Sequence, residues 1–368
     1  MPRSNRIGAP ARAAPHCALN IRTLGPQHLS IHHKQIHISR RSRIWTTLFR
    51  WFLKPMLRHM IHGSFEKIAR QQLRLAGMSC RDTAGLAQGY RIVNRVPGMT
   101  VGNFDDRSKP LILWLHGGAF ILPAVPAVHL RLLALLCKEL GAVGFMPDYR
   151  LAPFNRFPAA LDDCERAYSG VIDLGFDPAR IAIGGDSAGG NLLLGVLQRA
   201  RRKGIPMPAC VLPVSPATEL GRIHGPPSRY QQRRRDAILP ITALQRVDDL
   251  YAGDWDASDP ELSPLYADYR GFPPMHFIVG AEEVLADDSI MAAQQAEAAG
   301  VDVRCDVWPV LPHAFPLFEQ VFAETAVVRA DMVEFLGRHL RPAPVVTAPP
   351  DLDLDRTVMV TAKDLAKR

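Results

Sequence analysis

The chain has 368 residues, 47% of them hydrophobic and 22% charged, a balance that suits a globular protein and excludes a collagen, a coiled coil or wholesale disorder. Its length fits one large α/β domain or two smaller ones. The formal charge of +8 is unevenly placed: residues 1–65 hold 11 Lys and Arg and no Asp or Glu, whereas the chain from residue 66 onward carries 33 positive against 36 negative residues, a net of −3. The bulk of the chain is therefore slightly acidic and calls for no nucleic-acid partner.

The six cysteines (Cys17, Cys80, Cys137, Cys164, Cys210, Cys305) are scattered and form no Cys-x-x-Cys. That pattern supports neither a zinc site nor a redox pair, and predicts buried, reduced thiols in a cytoplasmic protein. The first 30 residues lack a sustained apolar segment, so a secretory signal is not expected. Their Arg-rich, acid-free composition resembles a transit peptide, but the expectation for residues 1–43 is a basic, disordered extension. No apolar run reaches the roughly 18 residues of a membrane span.

From Ile44 to Ile61 the pattern becomes helical, with Trp45, Leu48, Phe49, Phe52, Met56 and Met60 at helical spacing and Pro55 expected to kink the run. We expect this helix to pack over the protein's own pocket; peripheral contact with a membrane surface through residues 44–61 is the alternative. Residues 44–106 read as an N-terminal cap and lead-in. Beyond them, buried strands are predicted at Leu111–Leu115, Val143–Met146, Ile181–Ile183, Cys210–Val214, His276–Val279 and Val303–Val307. Helices are predicted between most of them, at Val128–Leu140, Ala159–Leu174, Asn191–Lys203, Asp287–Ala299 and Phe322–Leu340. The alternation implies a mostly parallel sheet flanked by helices over residues 107–340. Residues 215–273 are too long for a simple crossover and read as a lid or cap containing a helix at Ile241–Tyr251. The run Arg233–Arg235 within them reads as a solvated surface cluster. The Pro-rich segment 341–368 reads as a tail.

Chemistry enters with Gly185-Asp186-Ser187-Ala188-Gly189, set between a strand and a helix. A serine turned sharply in that context is lifted clear of the sheet, and its neighbours two positions away must be small. The turn also aims the amide of Ala188 and the helix N-terminus at developing negative charge. His116-Gly117-Gly118-Ala119-Phe120 follows an earlier strand, and its glycines let backbone amides turn toward an oxyanion. Gly117, Gly118 and Ala188 would then form a three-donor oxyanion hole, with His116 bracing the loop. A strand–serine–helix elbow places its base later in the chain. Of the four later histidines, His276 opens a strand, His339 closes a helix and His224 lies in the Pro-rich insertion. His313 alone occupies a loop after a strand, so it is the expected base. The orienting acid should lie in 280–288, where Glu282, Glu283, Asp287 and Asp288 all qualify; Asp287 and Asp288 also suit a helix start.

Together HGGAF (116–120), DYRLAP (148–153), FPAALDD (157–163), GGDSAGGN (184–191), EVLADD (283–288) and HAF (313–315) resemble the hormone-sensitive-lipase-like branch of the α/β-hydrolases, the bacterial family IV esterases. The resemblance spans roughly residues 75–340. It implies an α/β-hydrolase fold with a helical cap built from residues 44–90 and 215–250. It also implies hydrolysis of short- to medium-chain carboxylic esters without metal or organic cofactor, and a homodimer as a common state of such proteins. The family's nucleophile maps onto Ser187 and its histidine onto His313. Its acid maps onto Glu283, with Asp287 as the alternative. Its oxyanion donors map onto Gly117, Gly118 and Ala188. An amidase or formamidase with the same triad, or a non-catalytic small-ligand receptor of the same fold, are the rival functions.

Overall fold

A computed structural model describes residues 30–221 and 225–340. Its centre is a nine-stranded sheet in the order β1-β9-β8-β7-β6-β4-β5-β3-β2, made of β1 (Ile31–His33), β2 (Gln88–Val93), β3 (Val96–Val101), β4 (Leu111–Leu115), β5 (Val143–Pro147), β6 (Ile181–Asp186), β7 (Cys210–Val214), β8 (Met275–Gly280) and β9 (Val303–Trp308). From β1 across to β5 every neighbouring pair is parallel, while β3 runs antiparallel to both β5 and β2. The central strands β4 to β8 are buried along their whole length, which explains their continuous apolar runs: a strand covered on both faces has no polar side to alternate with.

Helices cover the two faces. In chain order they are α1 (Arg40–Leu48), α2 (Lys54–Ile61), α3 (Phe65–Ala76), α4 (His129–Leu140), α5 (Ala159–Asp173), α6 (Ala188–Lys203), α7 (Ser228–Gln231), α8 (Ile241–Val247), α9 (Ala286–Ala298) and α10 (Thr325–His339). The predicted strands and crossover helices all appear, with ends shifted by a few residues. The mostly parallel α/β architecture is as expected.

Three elements differ from expectation. First, order reaches into the segment expected to be a disordered extension: residues 30–43 contain β1 and the start of α1, while residues 1–29 lie outside the described residues. The sheet edge holds β1 through backbone bonds, Cys305 N–H to Ser30 O at 2.7 Å and Lys34 N–H to Val307 O at 2.9 Å, which need no apolar side-chain pattern. Glu324, just before α10, then clasps the next turn by accepting from the Ser39 amide at 2.7 Å and from the Ser42 hydroxyl. Second, β2 and β3 fall inside the expected cap and lead-in. They form a hairpin whose turn residues Asn94 and Arg95 both have positive φ, 45° and 66°, the geometry of a tight two-residue connection.

Third, the helix over 40–61 turns only part of its apolar set inward, with Phe49, Leu57, Met60 and Ile61 packed against the core. A single wide turn at Phe49–Leu53, closed by Lys54 N–H to Phe49 O, joins α1 to α2 and leaves Pro55 in the first turn of α2, where a missing N–H costs little. The helix is thus continuous rather than sharply kinked. Its buried positions are Ser42, Thr46 and Ile61, and Phe49 packs edge-on against Phe318 and Phe322. Trp45, Leu48, Phe52 and Met56, expected to cover a pocket, are exposed. The bonds from Ser39 and Ser42 to Glu324 fix this rotation. Residues 341–368, Cys17 and His224 lie outside the described residues. Among the described residues Cys80, Cys137, Cys164, Cys210 and Cys305 are buried and unpaired, and no helix is long and apolar enough to cross a membrane.

Candidate active site

Parallel strands deliver their C-terminal ends to one edge of the sheet, and that edge collects the candidate residues. Ser187 is the single residue between β6 and α6, with φ 54° and ψ −116°. A left-handed conformation costs a non-glycine residue roughly 1–2 kcal/mol. The surroundings hold it there: the Ser187 amide donates to Val214 O at 2.8 Å, and its carbonyl accepts from Asn191 and Ala217 at 3.2 Å each. A Cβ on Gly189 would run into the Leu115 and His116 backbone, so α6 can approach β4 this closely only with glycine at that position.

His313 follows β9, and its ring lies buried with Nδ1 2.8 Å from Oε2 of Glu283. Glu283 follows β8 and is itself fully buried. Its other oxygen, Oε1, accepts from the Gly280 amide and from the Ser215 hydroxyl at 2.8 Å. Ser215, immediately after β7, accepts in turn from the Ala314 amide at 3.2 Å. One hydroxyl thereby ties the histidine loop to the acid. Burial alone would depress the His313 pKa, but the hydrogen bond and charge of Glu283, reinforced by Asp236 and Asp186, outweigh it and hold it above its ordinary 6.5. Burial pushes the Glu283 carboxyl up, opposed by His313 and the Gly280 amide.

The four candidate carboxylates separate cleanly. Glu282 is part-exposed, 4.0 Å from Arg50. Glu283 alone meets His313. Asp287 accepts from the Ser228 amide at 2.7 Å and donates its own amide to the Ser228 hydroxyl at 3.0 Å, which docks α7 on α9. Asp288 receives Arg229 at 2.7 Å and the Thr218 amide at 2.8 Å. Both aspartates therefore anchor the insertion, as helix-start residues can.

On the far side of Ser187, the loop 116–122 coils through positive φ at Gly118, Ala119 and Phe120, 128°, 58° and 60°. A Cβ on Gly118 would strike the Leu122 carbonyl, while Ala119 tolerates its left-handed backbone as the third residue of the motif. His116 does brace this loop: Nδ1 lies 2.7 Å from Gly117 O and so carries the proton, and the ring stacks on Tyr149 at 4.2 Å. Complete burial, with His129 nearby, lowers its pKa to about 4, so it stays neutral. The Asp186 carboxylate sits under Gly117, accepts from Trp114 Nε1 at 3.0 Å and lies 3.5 Å from His129 Nε2. Ala188 opens α6, where its amide has no partner within the helix.

Sequence reasoning missed Ser215, Asp236 and Tyr251. Ser215 carries a signal in its position directly after a predicted strand at the active edge. Asp236 accepts the Ile238 and Leu239 amides on one oxygen and the Val284 amide, next to Glu283, on the other at 2.8 Å. Tyr251 stacks face to face on Phe120 at 3.9 Å and meets Phe157 edge-on, joining the insertion to the loop 116–122. Helix α3 secures the same loop through Gln72, which donates to Ile121 O at 2.7 Å and Ala152 O at 2.9 Å. A cavity of about 1050 Å³ lies between α3, the β2–β3 hairpin and this loop; its wall includes His116 and Tyr149 but none of Ser187, Glu283 and His313.

Comparison with known proteins agrees with this geometry. The family model described as alpha/beta hydrolase fold matches residues 112–317. An acetyl-hydrolase of Streptomyces hygroscopicus is 35% identical over 232 residues, covering 63% of this chain and 75% of that protein. The esterase LipU of Mycobacterium tuberculosis is 33% identical over 244 residues, covering 65% and 80%. Among solved structures, an esterase from the bacterial hormone-sensitive lipase family superposes with a TM-score of 0.72 at 28% identity, over 83% of this chain and all of that one. A hormone-sensitive lipase from a metagenome library gives 0.71 at 30% identity, over 81% and 98%. The sequence motifs, the parallel sheet and these likenesses converge: the chain belongs to the α/β-hydrolase fold family, in its hormone-sensitive-lipase-like esterase branch.

Proposed function

We propose that the protein is a serine carboxylesterase acting through an acyl-enzyme on Ser187, with His313 as general base and acid and Glu283 as the carboxylate that orients it. The observation that carries this reading is the buried 2.8 Å contact between His313 Nδ1 and Glu283 Oε2, at the sheet edge that also holds the strained Ser187. With its Nδ1 proton directed at Glu283, the imidazole offers Nε2 as the acceptor for the Ser187 hydroxyl proton. The serine oxygen then attacks the ester carbonyl, and the amides of Gly117, Gly118 and Ala188 stabilise the oxyanion. His313 passes the proton to the leaving alcohol. Water, deprotonated by the same nitrogen, attacks the acyl-enzyme and restores Ser187.

The acetyl-hydrolase and esterase relatives support short to medium acyl groups as substrates. The buried, unpaired thiols support a reducing, cytoplasmic setting. Peripheral contact with a membrane through residues 44–61 belongs to the same reading, because the apolar stripe of that helix faces outward.

A chain-length series of p-nitrophenyl esters, with Ser187→Ala as control, tests the chemistry. We expect hydrolysis that is greatest for short to medium chains and lowered by about 10⁴–10⁶ in kcat on Ser187→Ala. Undiminished activity in that variant overturns the assignment. A matched anilide cleaved faster than the ester makes the enzyme an amidase instead.

A further inference from the structure

Two features of the sequence find no role in ester hydrolysis: the aromatic helix over 40–61 and the run Arg233–Arg235. The structure brings them together. Lys54 donates to Arg233 O at 2.9 Å and to Asp236 O at 2.8 Å, and Arg50 donates to Arg235 O at 2.6 Å. These bonds spend the two inner cations on backbone carbonyls and hold the arginine run against the helix, with Arg233, Arg234 and Arg235 exposed. On the helix, Ile44, Trp45, Leu48, Trp51, Phe52 and Met56 recur at spacings of three and four and point outward; Trp51 and Phe52 are each 71% exposed and Ile44 59%.

Single exposed apolar residues are ordinary on a soluble surface, but a continuous stripe containing two tryptophans and a phenylalanine is not. Nor can the helix roll to bury it, because its opposite side is pinned through Ser42 and Ser39 to Glu324. Arg58, also exposed, lies on the same helix, as do Arg41 and Arg43, which donate to Gln320 O at 2.6 Å and Ile38 O at 3.3 Å. Residues 30–65 contain no carboxylate of their own; the acids that reach this segment are Glu324, on its inner side at Ser39 and Ser42, and Glu282, 4.0 Å from Arg50.

We propose that this face docks on the surface of an anionic phospholipid bilayer, Trp51 and Phe52 entering the headgroup boundary and the exposed Arg58, Arg233, Arg234 and Arg235 meeting lipid phosphates. The proposal rests on the membrane contact read above and is independent of the ester chemistry. Aromatic side chains with a cationic flank are the composition of a helix lying in a membrane interface, and basic residues add binding to anionic leaflets. A second copy of the chain is a poorer occupant: a two-fold contact through this patch would set its arginines against the same arginines. The docked strap also reaches the site, since Asp236, next after the arginine run, bonds the Val284 amide beside Glu283.

The test is sedimentation of the full chain with vesicles of phosphatidylglycerol and phosphatidylcholine, against vesicles of phosphatidylcholine alone. We expect binding to the anionic vesicles that weakens with salt. W51S/F52S should weaken it at least about tenfold, and R233E/R234E/R235E roughly a hundredfold. Both variants should hydrolyse a soluble p-nitrophenyl ester as the wild type does, which shows that they fold; Ser187→Ala should bind vesicles unchanged. Absence of vesicle binding overturns the proposal. So does equal binding by both surface variants, which would assign it to residues before 30, or a dimer in lipid-free solution that W51S/F52S dissolves. If the wild type binds anionic vesicles but cleaves no ester, the proposal stands and the esterase reading fails.

Discussion

Ser215 donates its hydroxyl to the Glu283 oxygen that His313 leaves free, at 2.8 Å. The same hydroxyl accepts the Ala314 amide, so one short side chain after β7 fixes both Glu283 and the loop that carries His313. Ser215→Ala strands the buried Ala314 amide and removes a donor from a buried carboxylate, a loss of about 1–3 kcal/mol. We expect kcat to fall roughly ten- to a hundredfold with little change in KM, as read from steady-state kinetics on a p-nitrophenyl ester. A wild-type kcat would show that the Gly280 amide suffices to hold Glu283.

Glu283 and Asp287 are four residues apart but meet different partners. Glu283→Gln keeps the shape and loses the charge that favours the useful imidazole tautomer, so kcat should drop by about 10²–10⁴. Asp287→Asn should leave kcat within about threefold, because its carboxylate docks α7 rather than His313. Measuring the two side by side identifies the acid. A crippled Asp287→Asn with an active Glu283→Gln would reassign it.

The pH profile follows from the direction of the His313 shift. The imidazole accepts the serine proton only when neutral, and Glu283 with Asp236 and Asp186 holds its pKa above 6.5 against the opposing effect of burial. Activity should therefore rise with pH along an acid limb whose midpoint lies above 6.5. In Glu283→Gln the supporting charge is gone and burial prevails, so the limb of the residual activity should move to lower pH. An unmoved limb would mean that another group sets it.

Tyr251 is almost fully buried between Phe120 and Phe157. Tyr251→Ala opens a cavity between the insertion and the loop 116–122 and should cost about 3–5 kcal/mol in stability. Thermal unfolding should show a clear fall in Tm. Tyr251→Phe keeps the ring, and both its Tm and its activity should stay near those of the wild type.

Where a residue's place in the fold was set by its immediate neighbours, it could be read early. The strands β4 to β8 announced themselves as apolar runs because both faces of each are covered. Ser187 was legible because the elbow demands small residues on either side, and His313 because it is the one later histidine placed in a loop after a strand. Edge elements behave differently. β1 is three residues with one apolar side chain, and it exists through backbone bonds to β9 that leave no trace in composition. The β2–β3 hairpin, at the other edge, likewise has no long apolar run to mark it.

The sequence by itself determined the fold class and singled out Ser187 and His313 as the candidate nucleophile and base, since each depends on periodicity or on a short motif whose backbone demands are local. The residue pattern left four carboxylates open and the family resemblance pointed to Glu283; the tertiary structure shows that Glu283 faces His313, because that contact rests on the meeting of β7, β8 and β9 and on Ser228, Thr218 and Arg229 engaging Asp287 and Asp288. It also decided which side of the 40–61 helix is buried: an apolar stripe predicts only that one face differs from the other, and the bonds to Glu324, some 280 residues away, turned Ser42 and Thr46 inward and left Trp45 and Leu48 outside. The opening charge of +8 resolves in the same way. Its position was plain in the sequence, but the meeting of that helix with Arg233–Arg235 required the fold.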